Sequence, residues 1–157
     1  MKTINPLAWC AALTLAASAS PSIAQQGLDP ALTAPVKAYA TAANAADLNG
    51  VMAVYADDAV FMPQNSSPVV GKPAVRTAYA ALFNTLGLDI DFTFDEARKL
   101  SDDWAFVRTR SGGTVKLIQQ GNAQVPNANQ EIFLLRRGGD GTWRIARYIF
   151  NTTAPAQ

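Results

Sequence analysis

Glu131 opens the run EIFLLRR, two residues before Phe133 and four before Leu135, so a strand there carries a carboxylate on an otherwise apolar face. Such a group is either a buried acid or an edge residue in water. Burial would disfavour its charged form, raise its pKa and suit it to moving a proton; a salt bridge to Arg108, Arg110 or Arg147 is the other reading. Tyr39 is the matching electrophile. It lies with Leu32, Val36 and Ala43 on one face of a helix-period pattern, and a phenol aimed into a desolvated cavity donates strongly to developing negative charge. A core tyrosine satisfied by a neighbour is the alternative. Trp104, Phe106, Arg108 and Arg110 alternate along another strand, where two guanidinium groups beside aromatics could grip a ligand's carboxylate or phosphate. The same spacing equally suits an outward or dimer-facing surface with paired charges.

Other chemistries are excluded by composition. The 157-residue chain has no His and one Cys, Cys10, which rules out Ser-His-Asp and Cys-His catalysis and leaves no imidazole ligand for zinc. Asp57-Asp58 and Asp102-Asp103 read as turn-solvating pairs, because hard cations need six or more oxygens from several segments. No phosphate loop or dinucleotide fingerprint is present, so neither a metal nor a cofactor is expected. An enzyme built from this chain would work with Asp, Glu, Tyr, Lys, Arg or bound water.

The elements that must position these groups follow from periodicity. Asp29-Pro30 has the order of an N-cap and a first-turn proline, and Asp47 caps a second helix through Leu48, Val51, Met52 and Tyr55. Val60-Phe61-Met62 reads as a brief strand stopped by Pro63. Gly71-Lys72-Pro73 opens a third helix with Val75, Tyr79, Leu82, Phe83 and Leu86 on its apolar face, ending where Gly87 could adopt a left-handed conformation. From Leu88 the period changes to two. Strands are expected at Leu88–Asp95, Trp104–Ser111 continuing to Thr114–Gln119, Glu131–Arg137 and Trp143–Phe150, with a bulge or bend at Gly112-Gly113 and a hairpin at Asp140-Gly141. Helices first and strands after predict an α+β domain, a curved antiparallel sheet wrapped around about three N-terminal helices.

Residues 1–24 place a Lys, an apolar run of about Leu7 to Ala17 and the small-residue ending Ser22-Ile23-Ala24 in the order of a secretory signal peptide. The run is too short for a bilayer of roughly 30 Å. Cleavage after Ala24 would leave residues 25–157 as one domain in the periplasm or outside the cell, without a thiol and without stable membrane insertion. It removes Lys2 from 13 basic residues and none of the 12 acidic ones, so net charge falls to zero and no nucleic-acid partner is expected.

Four stretches in this order, YATAANAADL from Tyr39, YADDAVFMP from Tyr55, GKPAVR from Gly71 and DGTWRI from Asp140, resemble the nuclear-transport-factor-2-like superfamily, most closely its SnoaL-like and ketosteroid-isomerase-like branch. The resemblance covers about Leu28 to Asn151 and implies a cone-shaped scaffold that hosts several functions. It implies a homodimer through the outer sheet face. It also implies an oxyanion-donating tyrosine at Tyr39, an acid near Glu131 and a carboxylate base just before the proline of YADDAVFMP. Met62 stands at that last place, in a segment about one residue shorter than in the isomerases, and a thioether takes no proton at neutral pH.

These readings converge on an exported protein that binds a small apolar or amphipathic molecule in a pocket lined by Tyr39, Tyr55, Phe61, Met62, Phe133, Tyr148 and Phe150, its polar end met by Glu131 and by Arg108 or Arg110. The alternatives are a proton-transfer enzyme of isomerase, cyclase or dehydratase type, with Glu131 and Tyr39 as catalytic groups, and a dimeric assembly module whose interior is filled by its own side chains.

Overall fold

The computed structural model describes residues 28–153. The expected signal segment, residues 1–24, lies outside them. Helix α1, Pro30–Asn44, begins where the Asp29 side chain accepts from the Ala31 N–H at 2.9 Å, with proline in the first turn. It buries Leu32, Val36, Tyr39 and Ala43, the predicted face, and Ala42 beside them. Asp47 caps α2, Leu48–Val54, by accepting from Asn49 and Gly50 at 3.1 and 3.0 Å. Helix α3 spans Lys72–Thr85 and buries Val75 and Tyr79.

The strands are β1 (Tyr55–Met62), β2 (Val69–Val70), β3 (Leu86–Lys99), β4 (Trp104–Leu117), β5 (Ala123–Arg137) and β6 (Trp143–Thr152). They form one sheet in the order β2-β1-β6-β5-β4-β3. The fold is therefore the expected α+β arrangement of three helices against a curved, unclosed sheet, with one departure from the antiparallel expectation: β1 runs parallel to β6. Strand β1 also starts five residues earlier than the Val60 expected, and β2 was not anticipated.

One glycine reading is corrected, and of the bulge or bend expected at Gly112-Gly113 the bulge is ruled out. Gly87 does not end α3 in a left-handed conformation; Leu86 turns into extended backbone at φ −129° and the chain passes straight into β3, with Gly87 opposite Lys116. Gly112-Gly113 does not slip the register either, since both pair regularly with Asp91 and Ile90. Gly113, at φ 127°, instead bends the strand where a Cβ would collide with the Asp89 carbonyl oxygen. The register shift falls between Phe94 and Glu96, leaving Asp95 as the bulged residue. The Gly141 turn, φ 78°, joins β5 to β6 as predicted.

The core lies between the sheet's inner face and the helices. Tyr55, Tyr79, Phe133, Leu135, Ile145 and Val107 are fully buried there, each large apolar side chain contributing about 1.5–3 kcal/mol relative to exposure. The Asn44 side chain pins the end of α1 to β3, donating to the Ile90 carbonyl at 2.8 Å and accepting from its N–H at 3.0 Å. No helix among the described residues is long and apolar enough to cross a membrane.

Candidate functional site

Strand alternation decides which groups meet. On β4 the buried residues are Ala105, Val107, Thr109 and Ser111, and on β5 they are Glu131, Phe133 and Leu135. Thr109 pairs with Glu131 across the ladder, so both hydroxyls of β4 face the same acid. Thr109 Oγ1 donates to Glu131 Oε2 at 2.6 Å, and Ser111 Oγ donates to Oε1. Glu131 is 2% exposed and the single buried ionisable acid or base among the described residues apart from the tyrosines. None of the ion pairs among those residues includes it. Burial pushes its carboxyl above the ordinary value, partly offset by the donating hydroxyls of Ser111 and Thr109.

All four tyrosines of the chain are buried in the same core, and the charge of Glu131 reaches two of them, Tyr39 and Tyr148. Tyr79 donates to the Tyr39 oxygen at 2.9 Å and shares a 3.0 Å hydrogen bond with Tyr55. A donor has one proton, so with Tyr79's given to Tyr39, Tyr55 donates to Tyr79 and the relay ends on the Tyr39 oxygen. Tyr148 acts on the same hydroxyl. The proton of Tyr39 itself is not used within this chain of phenols. Burial pushes Tyr39 up to about 12, opposed by hydrogen bonds from Tyr79 and Tyr148 and reinforced by the charge of Glu131. Burial holds Tyr55, Tyr79 and Tyr148 well above the usual phenol range, and Glu131 adds to the effect at Tyr148. The charge of Glu131 is thus felt at both Tyr39 and Tyr148.

Of the expected pocket residues, Tyr39, Tyr55, Phe61, Phe133 and Tyr148 do converge, but as a packed aromatic cluster. Phe133 stacks on Tyr148 with centroids 4.2 Å apart and planes 8° from parallel, and Phe61 stacks between Tyr79 at 5.1 Å and Tyr148 at 5.5 Å. This depth of the cone is filled by protein. Half-buried Phe92 and Phe150 border it, Phe92 at 6.1 Å from both Tyr39 and Phe133, Phe150 at 5.6 Å from Tyr148.

Three expected ligand contacts belong elsewhere. Arg108 and Arg110 point from the outer face, where both bind Asp95, at 2.9 and 3.0 Å. The unslipped register at Gly112-Gly113 puts them there, because it keeps even-numbered β4 residues outside. Arg147 is also directed away, to the carbonyls of Asp58 and Ala146. Met62 pairs with Ile149 while Phe61 pairs with Tyr148, so alternation turns Met62 to the face opposite the aromatic cluster. Phe61, not Met62, is the inward residue before Pro63.

Sequence reasoning missed Thr109, Ser111 and the half-buried Asn127 and Asn129 that continue the polar array toward the sheet's end. A signal existed: if Arg108 and Arg110 face out, the hydroxyls between and after them face in. No group of three or more His, Cys, Asp or Glu among the described residues could hold a metal. Asp57 is paired with Lys72 at 3.5 Å and Asp58 with Arg136 at 2.6 Å, next to a surface cleft of about 380 Å³ also lined by Asp140 and Arg144.

A curved sheet over three helices, with an acid and a phenol relay in its interior, defines a small α+β cone of the nuclear-transport-factor-2-like class. Residues 36–148 match the family model described as a SnoaL-like domain, and the chain belongs to that family. A ketosteroid isomerase-like protein from Erwinia carotovora atroseptica is 38% identical, over 80% of this chain and 95% of that one, with a TM-score of 0.76. A conserved protein from Planctomyces limnophilus matches at 23% identity over 75% and 90% of the two chains, TM-score 0.66. A nuclear-transport-factor-2-like protein of unknown function from Shewanella oneidensis matches at 19% over 76% and 95%, TM-score 0.61. The last two are likenesses of fold alone.

Proposed function

We propose that this SnoaL-like protein binds a small, largely apolar molecule against Phe92 and Phe150, with the molecule's polar end meeting Glu131 and Tyr39. The observation that carries the reading is a buried carboxylate held by hydroxyls without a cation. Burying an acid this way costs several kcal/mol unless its charge is compensated, so its presence in an aromatic interior points to use rather than to stability. Glu131 accepts and Tyr39 donates, a pair suited to a ligand with a carbonyl or hydroxyl end.

A second reading, proton transfer of isomerase, cyclase or dehydratase type, is favoured by the upward shift of Glu131, which moves an acid toward the pH at which it can both take and return a proton. Tyr39 would then donate to the developing oxyanion. Met62 supplies neither function, and Glu131 is the one buried carboxylate among the described residues. The homodimer is proposed for the outer sheet face, where Ile132 and Ile149 are 40% and 44% exposed beside a shallow depression of about 300 Å³. Export is proposed from the sequence of residues 1–24.

Native mass spectrometry of the protein purified from its own cells tests binding and copy number together. The expected spectrum is a dimer carrying a small molecule, and Glu131→Gln is expected to lose that molecule at a melting temperature no lower than the wild type's, since it removes a buried charge. Retention at wild-type affinity would remove Glu131 from the binding site. If binding persists but turnover of the identified molecule falls by about 10²–10⁴-fold, the proton-transfer reading replaces simple binding.

A further inference from the structure

We infer that Asn127 is a positioning residue for Glu131, acting through Ser111, and that Asn129 locks the orientation in which it does so. The inference deepens the Glu131 site just proposed and rests on it. Residues 127, 129 and 131 of β5 share the inner face with 109 and 111 of β4, and the register sets Ser111 opposite Asn129 and Gly113 opposite Asn127. With no side chain across from it, Asn127 reaches diagonally to Ser111.

The result is a directed chain. Asn129 Nδ2 donates to Asn127 Oδ1 at 3.0 Å, Asn127 Nδ2 donates to Ser111 Oγ at 3.2 Å, and Ser111 Oγ donates to Glu131 Oε1. An amide nitrogen has two protons and no acceptor, so Ser111 cannot give its only proton to Asn127 Nδ2 and must give it to the carboxylate. Turning the Asn127 amide would present its oxygen to Ser111 and release that proton from Glu131. Asn129 opposes the turn by occupying the oxygen. Three donors in series polarise one another toward one end, and that end is Glu131.

A Glu131 protonated on Oε1 fits this chain poorly: to donate to Ser111 it would need Ser111's own proton rehoused, and both amides would have to turn. The chain therefore directs an added proton to Oε2, on the Thr109 side. The remaining groups whose charge or protonation bears on Glu131 are the hydroxyls of Tyr39 from α1 and Tyr148 from β6, both neutral through the ordinary pH range, and Thr109 from β4. Among the described residues no cation is paired with Glu131, so the two hydroxyl donors, one of them backed by the amides, are what support its charged form against burial.

The test is a carboxyl-carbon NMR titration of Glu131 in the ligand-free protein, comparing wild type with Asn127→Leu, Asn129→Leu and Ser111→Ala. Asn127→Leu is expected to raise the Glu131 midpoint by about one pH unit, a tenfold gain in proton affinity, with Ser111→Ala at least as large and Asn129→Leu smaller in the same direction. Direction separates the proposal from mere loosening, because a strand opened to water would hydrate Glu131 and lower its midpoint toward the ordinary value. An unmoved or lowered midpoint in Asn127→Leu, with Ser111→Ala raised, overturns the role of Asn127. Should Asn127→Leu fail to fold, an unmoved midpoint in Asn129→Leu overturns the chain. The titration needs no ligand, so it fails or succeeds independently of whether Glu131→Gln still binds the co-purifying molecule.

Discussion

Two carboxylates, Glu131 and Asp95, lie on opposite faces of the same sheet and are served by neighbouring residues of one strand. Asp95, bulged out of β3, takes hydrogen bonds from Arg108 at 2.9 Å and from two nitrogens of Arg110 at 3.0–3.2 Å. Those bonds and charges, Arg110's first, hold its carboxyl below the usual range. Glu131 takes its bonds from Thr109 and Ser111, which interleave with those arginines, and burial lifts its carboxyl above the usual range. The period of two along β4 thus delivers guanidinium to one acid and hydroxyl to the other. A guanidinium pair makes a carboxylate inert, since it neutralises the charge and fills its lone pairs. Hydroxyl donors support the charge without cancelling it, leaving an acid that a ligand can still engage.

The largest effect expected from breaking this contrast is on stability. Phe133 on the inner face is fully buried and stacked on Tyr148, so Phe133→Ala is expected to cost about 3–5 kcal/mol in urea unfolding. Its chain neighbour Ile132 points outward and is 40% exposed, so Ile132→Ala is expected to stay within about 0.5 kcal/mol in a dilute monomer. A loss at Ile132 that grows with protein concentration would mean that the outer face is covered by a second copy. A loss there as large as at Phe133 at every concentration would break the assignment of inner and outer faces.

What could be read from the sequence was whatever depends on near neighbours. The caps at Asp29 and Asp47, the inward face of α1 with Tyr39, the Asp140-Gly141 turn and the shared face of Glu131, Phe133 and Leu135 each need only a few residues of context. The partners of Glu131 could not be read in this way, because they depend on the register between β4 and β5, with Thr109 and Glu131 separated by 22 positions. Gly112-Gly113 looked like the place where that register would slip. The chain bulges at Asp95 instead, on a different strand, and nothing local in Phe94-Asp95-Glu96 announces it. Met62 was misplaced for a similar reason: its face is set by parallel pairing of β1 with β6, the first and last strands in chain order. The phenol relay joins α1, β1 and α3; helical spacing made the inward placement of Tyr39, Tyr55 and Tyr79 visible, but Tyr55 opens β1 rather than closing α2, and the hydrogen bonds between the three were not legible.

A smaller effect sharpens the comparison, and its sign differs between the two acids. Glu131 has a raised folded-state pKa, so between its unfolded value, near 4.5, and the raised value the native protein keeps a proton that the unfolded chain has lost. Stability therefore falls as pH rises through that window and levels off above it. Asp95 has a lowered folded-state pKa, so its contribution is complete above the unfolded value near 3.8 and is lost as pH falls through the lowered one. Thermal melts across this acid range are expected to show Glu131→Gln flattening the upper slope while leaving the lower one. Arg110→Ala is expected to flatten only the lower slope, and least of all in high salt, because the pair is exposed and screened. A wild-type upper slope in Glu131→Gln would mean that Glu131 titrates alike in both states, and the hydroxyl-held carboxylate would then be no different from a solvated one.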